Sequence, residues 1–228
     1  MTWSSPVVQG ETVALVGPSG GGKSTILALA AGLLTPDCGA VALGGGRLIR
    51  PGLAAYGGRI GYLLQRTELF RGSIADNLLM GRPDASDDKL QIAVAAVGLD
   101  RAIENLPMGL HHQLGDGGTG LSGGERRRLG IARLLVASPD VYVFDEATEG
   151  LDAATAALVI ENIRSETRGR AVLLATHHRD EAKSADKLLW NREGKIDANR
   201  SQGRSRFRCN PRSTKSAQLS TFGSCSRR

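Results

Sequence analysis

One stretch constrains this chain more than any other: "TVALVGPSGGGKST", Thr12 to Thr25. An apolar run stops at Gly17, and Gly17 with Gly22, Lys23 and Ser24 satisfies G-x-x-x-x-G-K-[ST]. "KSTILALAAGLL" then takes up helical spacing, so the order is strand, loop, helix. The loop comprises Gly17, Pro18, Ser19, Gly20, Gly21, Gly22, Lys23, Ser24 and Thr25. Its glycines let backbone N–H groups converge on one concavity, and the helix aims its positive N-terminal end at the same place. Lys23 adds a cation for the β/γ-phosphates of a nucleoside triphosphate, and the Ser24 hydroxyl is a ligand for Mg²⁺.

Two further motifs extend this chemistry. In "VYVFDE", Val141 to Glu146, four apolar residues make a buried strand whose end delivers Asp145, a carboxylate able to hold Mg²⁺. Glu146 follows, placed to orient or deprotonate an attacking water. In "LSGGERRRLGIARLL", Leu121 to Leu135, Ser122 and Glu125 fit a capping box at a helix start. The same glycine-flanked helix N-terminus, with Gly123 and Gly124, is also an anion site.

The surrounding pattern gives an α/β fold. "DVYVFDE" and "RAVLLATHH" are continuous apolar runs, as in strands of a parallel sheet covered on both faces. "DAATAALVIENIRSETRG" supplies the crossover helix between them. "VALGGGRLI" and "GRIGYLLQ" read as strands separated by glycine turns, and residues from about 70 to 137 read as helical. The expectation is a mostly parallel core sheet with a small antiparallel part and a helical subdomain.

Charge separates the body from the tail. The formal net charge of +6 would invite a nucleic-acid or membrane-surface reading, but eight of the 29 basic residues lie beyond Asn199, where no acid occurs. The remaining 21 stand against 23 acidic residues, so no nucleic-acid partner is expected. Residues 1–198 are read as one nucleotide-binding domain, and 199–228 as a basic Ser/Arg-rich tail, either disordered or translated out of frame. Cys38, Cys209 and Cys225 show no metal spacing or disulfide framework. No run of about 18 apolar residues occurs, so the expectation is a chain without a transmembrane segment.

Together these motifs resemble the nucleotide-binding domain of ATP-binding-cassette (ABC) transporters, from about Glu11 to Ile196 and in the family's order. "GPSGGGKST" looks like the Walker A motif, "VYVFDE" the Walker B and "LSGGE" the signature. The resemblance implies a P-loop NTPase fold, with ATP and Mg²⁺ as cofactors. It implies that Gln65 in "GYLLQRTELF" touches the metal and reports to a membrane domain. Asp152 in "TEGLD" matches the D-loop, and its bland reading is an N-cap for the next helix. His177 in "LLATHH" matches the switch histidine, implied to sense the γ-phosphate; His178 stands where an arginine is more usual. In this family two domains face head to tail, so Ser122, Gly123 and Gly124 would act on a nucleotide held by the partner.

The subtype resembles exporters. "ELFRGSIADNLLMGRP" after Gln65 and "LGDGGTGLSGG" are similar to exporter segments, and "DEATEGLD" looks like the bacterial cysteine/glutathione half-transporters of cytochrome bd assembly. The implied partners are a transmembrane domain and a second nucleotide-binding domain, with the chain at the cytoplasmic face of the inner membrane. Trp3 stands too close to Gly17 to be the aromatic residue on which relatives stack adenine. That departure gives the expectation of a truncated N-terminus, with the first antiparallel strands absent. Two rival expectations remain: an inactive truncated remnant, and a soluble ABC ATPase without a transport role.

Overall fold

The apolar runs take up strands where the pattern puts them, and the computed structural model describes residues 6–43, 46–48, 58–192, 195–200 and 219–222. The first elements are β1 (Thr12–Val16), α1 (Lys23–Ala30), β2 (Ala40–Leu43), β3 (Gly46–Leu48) and β4 (Ile60–Leu63). Then come β5 (Gly72–Ser73), α2 (Ile74–Leu79), α3 (Asp87–Ala96), α4 (Asp100–Glu104), β6 (Gln113–Leu114) and α5 (Gly123–Ala137). The chain continues through β7 (Val141–Asp145), α6 (Ala153–Glu166), β8 (Ala171–Thr176) and α7 (Arg179–Ser184). It closes with β9 (Lys187–Arg192), β10 (Lys195–Arg200) and β11 (Leu219–Phe222).

These elements form two units. The first holds residues 1–60, 140–146 and 169–228. Its main sheet runs β10-β9-β1-β8-β7 and ends at β4, on which the chain passes from Ile60 into the second unit. β1 pairs in parallel with both β8 and β9, and β7 with β8, while β9 and β10 make an antiparallel hairpin. All five residues of β7 are buried, as a strand covered on both faces requires. Tyr142 and Phe144 stack within it at 5.9 Å. At the foot of the sheet Asp140 accepts hydrogen bonds from Arg59 at 2.8 Å and Arg170 at 3.0 Å. The helix after the glycine-rich loop ends sooner than its apolar spacing suggests. Gly32 takes φ 71, and Leu33 N–H returns to the carbonyl of Ala28 at 2.8 Å, a Schellman close at Ala31.

A small antiparallel sheet, β11-β2-β3, belongs to the same unit. Two pieces of the basic tail therefore adopt strand structure: β10 runs on through Asn199 and Arg200, and β11 pairs with β2 from Leu219↔Leu43 to Phe222↔Ala40. The rest of the tail, Cys209 and Cys225 included, and Trp3 at the other end lie outside the described residues.

The second unit holds residues 61–139 and 147–168. α6 clusters in this unit, although it also connects the parallel pair β7 and β8. Asn162 on α6 donates to the carbonyl of Ala96 at the end of α3 at 2.8 Å. Asn77, 1% exposed, ties the segment before α2 to α5. It accepts from Phe70 N–H, donates to the carbonyls of Phe70 and Ser73, and accepts from Arg133 on α5 at 2.9 Å. Among the described residues no helix is long and apolar enough to cross a membrane.

Candidate functional site

Strand register brings the first set of expected residues together. Val16, the last residue of β1, stands opposite Thr176, the last of β8, and Asp145, the last of β7, stands opposite Ala175. Three strands thus end within one residue of each other, and their next residues are Gly17, His177 and Glu146. The carboxyl edge of a parallel sheet is where ligands bind in open α/β folds.

Each strand end delivers a different group. Gly17 to Gly22 wrap from β1 into α1, with Gly20 at φ 74 and Gly22, the N-cap of α1, at φ 85. Gly21 N–H closes a turn onto the carbonyl of Pro18 at 3.1 Å. The N–H groups of Gly22, Lys23 and Ser24 have no intrahelical acceptor at a helix start, which leaves them to an anion. Lys23 is buried, and its ammonium donates to the carbonyls of Gly17 and Pro18, both at 3.1 Å. Ser24 and Thr25 are exposed on the same first turn.

Asp145 is buried at the end of β7. Glu146 then takes φ 54, the left-handed region that a residue with a side chain rarely visits. Its N–H extends the ladder to the carbonyl of Ala175 at 3.0 Å, and its carboxylate turns back over the loop. Glu146 Oε1 lies 3.9 Å from Lys23 Nζ and 3.5 Å from His177 Nδ1. His177 is half exposed with its ring 4.1 Å from that of His178. A cation, a carboxylate and an imidazole therefore converge above one glycine-rich cradle. The donors, the flanking carboxylates and the open backbone fit the triphosphate of a nucleotide with its Mg²⁺.

The second unit carries the remaining expected residues. Gln65 is exposed just beyond β4. The capping box at α5 is present: Ser122 Oγ accepts from Glu125 N–H at 3.3 Å, and Glu125 Oε2 accepts from Ser122 N–H at 2.8 Å. The Ser122 hydroxyl, which donates to Glu125 Oε2 at 2.7 Å, and then the Ser122 N–H hold the Glu125 carboxyl below the usual carboxylate range. A Cβ at Gly123 would meet open space, and one at Gly124 would stand 3.3 Å from the Leu151 side chain. Asp152 caps α6, accepting from Ala154 and Thr155 N–H and from the Thr155 hydroxyl at 2.6 Å; its pKa is lowered in consequence.

Two residues of consequence were not singled out from the sequence. Arg127 on α5 is 5% exposed. Its guanidinium donates to the carbonyls of Leu64, Gln65 and Ala147, at 2.5, 2.6 and 3.3 Å. The backbone of Gln65 is thereby tied to the segment that follows Glu146. Nothing in "ERRRLG" distinguishes this arginine from its neighbours except its helical phase. Asn191 on β9 is fully buried, and its Nδ2 donates to the carbonyl of Gly21. A polar residue inside "LLWN", an apolar strand, was the available signal.

Comparison with known proteins identifies the family. The ABC transporter family matches residues 2–149. The chain is 38% identical to the mycobactin import ATP-binding/permease protein IrtB of Mycolicibacterium thermoresistibile, over 82% of this chain and 32% of that protein. It is also 38% identical to the glutathione/L-cysteine transport system ATP-binding/permease protein CydD of Bacillus subtilis, over 83% and 33%. Among solved structures, a bacterial Atm1-family ABC exporter with ATP bound superposes with a TM-score of 0.77 at 32% identity, over 83% of this chain and 33% of that one. The chain thus spans about a third of the length of these relatives. It belongs to the ABC transporter family and corresponds to the ATP-binding domain of exporter-type members.

Proposed function

We propose that this chain binds ATP with Mg²⁺, hydrolyses it as half of a head-to-tail pair, and drives transport through a membrane-spanning partner at the cytoplasmic face of the inner membrane. The observation that carries the reading is the near-level end of three strands, which sets Lys23 and His177 within 4 Å of Glu146. Lys23 and the loop amides bind the phosphates; Ser24, Gln65 and Asp145 hold the metal. Bound Mg²⁺ supplies charge neutralisation on the phosphates. Glu146 takes the proton of the attacking water, and His177 senses the γ-phosphate. Ser122, Gly123, Gly124 and Asp152 complete the site of the opposing domain. Catalysis on this plan is positioning and electrostatics, with no covalent intermediate.

Cargo is the narrower part of the reading. Export of cysteine or glutathione rests on "DEATEGLD" and on the relative named for that transport. A relative of equal identity is named for mycobactin import, so identity alone does not choose between them.

Phosphate release by the purified chain tests the enzymatic core. Hydrolysis that needs Mg²⁺ and is lost in Glu146→Gln, with ATP binding retained, is the expected result. Binding without any hydrolysis, at every protein concentration, would instead support a remnant that has lost catalysis.

A further inference from the structure

Asn191 meets the phosphate loop at both ends of its arc, with its side-chain amide at one and its backbone carbonyl at the other. Its Nδ2 donates to the carbonyl of Gly21. Its backbone carbonyl lies where a side chain at Gly17 would sit: a Cβ there would come within 2.6 Å of the Asn191 oxygen. The residue is fully buried, yet its Oδ1 has no hydrogen-bond partner among the described residues. An apolar residue of the same shape would fill this strand position at no such cost, because a buried acceptor left unsatisfied is unfavourable. Stability therefore does not explain an asparagine here, and the bond to Gly21 is what remains.

Peptide geometry says what that bond achieves. Within one planar peptide the C=O and the following N–H point in opposite directions. Holding the Gly21 carbonyl toward β9 turns the Gly22 N–H away from it. Gly22 is the N-cap of α1, and its N–H is among the groups left to an anion at the helix start. Gly21 N–H is itself held by Pro18, so both peptides that flank Gly21 are fixed.

We infer that Asn191 is a positioning residue for phosphate binding, holding the loop with the Gly22 N–H presented to the β-phosphate of ATP or ADP. This inference rests on the loop being a nucleotide site, as proposed above. Freed of the bond, the loop samples other peptide orientations, and the ordering cost falls on ligand binding.

Asn191→Leu in the full chain separates this role from a structural one. ADP with Mg²⁺ is titrated by calorimetry, and each protein is melted without nucleotide. The expected result is an affinity about three- to tenfold weaker, the worth of one hydrogen bond, with a melting temperature equal to or above the parent's. Asn191→Thr, β-branched and one bond too short to reach Gly21, serves if the leucine variant does not fold. Unchanged ADP affinity in a folded variant overturns the inference. So does a weaker affinity accompanied by a lower melting temperature, which marks Asn191 as structural. A parent chain that binds no ADP overturns the nucleotide reading itself, and the inference with it.

Discussion

Glu146 combines the base expected at the end of β7 with a backbone angle that the motif does not announce. At φ 54 its side chain sits in the left-handed region, which costs a residue bearing a Cβ about 1–2 kcal/mol. The strain turns the carboxylate back toward Lys23 and His177 instead of letting it continue along the strand. Two substitutions separate geometry from charge. Glu146→Gln and Glu146→Gly both remove the carboxylate, and both are expected to abolish hydrolysis. Only glycine relieves the angle, so Glu146→Gly should exceed Glu146→Gln in urea-denaturation stability by about 1 kcal/mol. Equal stabilities would mean that the angle stores no energy. Arg127 makes the opposite kind of contribution, through satisfied contacts. Arg127→Gln withdraws its donors from the carbonyls of Leu64, Gln65 and Ala147. Urea denaturation should show a loss of about 2 kcal/mol or more, with faster amide exchange around Gln65.

At the scale of elements, the caps of α5 and α6 do the fixing. Glu125 is held below the usual carboxylate range, by the Ser122 hydroxyl first and the Ser122 N–H second. A lowered folded pKa means the cap contributes in full above the unfolded value, near 4.3 for a glutamate, and is lost as pH falls through the lower folded value. The parent should therefore be more stable than Glu125→Gln near neutral pH, and the gap should close as pH drops below about 4. A gap independent of pH would assign the difference to packing. These caps were legible, because S-x-x-E and a leading aspartate before an apolar run are local signals. So were β1, β7 and β8, whose continuous apolar runs belong to a two-sided sheet. The stop at Ala31 depended on Gly32 outweighing the apolar spacing through Leu34, a cue that periodicity alone misreads. The grouping of α6 with the helical unit was not legible, since it is decided by contacts such as Asn162 with Ala96.

For the molecule as a whole, the motifs divide between two units. The phosphate loop, Asp145, Glu146 and His177 share one; Gln65, the signature and Asp152 share the other. If two chains pair head to tail, hydrolysis should rise faster than linearly with protein concentration before it saturates, as phosphate release over a dilution series would show. Strict proportionality would indicate that one chain suffices. The motif residues were readable because their spacing reports a local task. Asn191 and Arg127 were not, because each acts on backbone that is distant in sequence and brought near only by folding. Gly17 now carries two messages where its motif announces one. The space denied to a side chain there is filled by the carbonyl of Asn191, so a strand near the other end of the chain enforces the loop's first glycine. A search pattern that matches Gly17 is therefore also detecting the pairing of β1 with β9, and a sequence altered at β9 can lose the loop while keeping every letter of the motif.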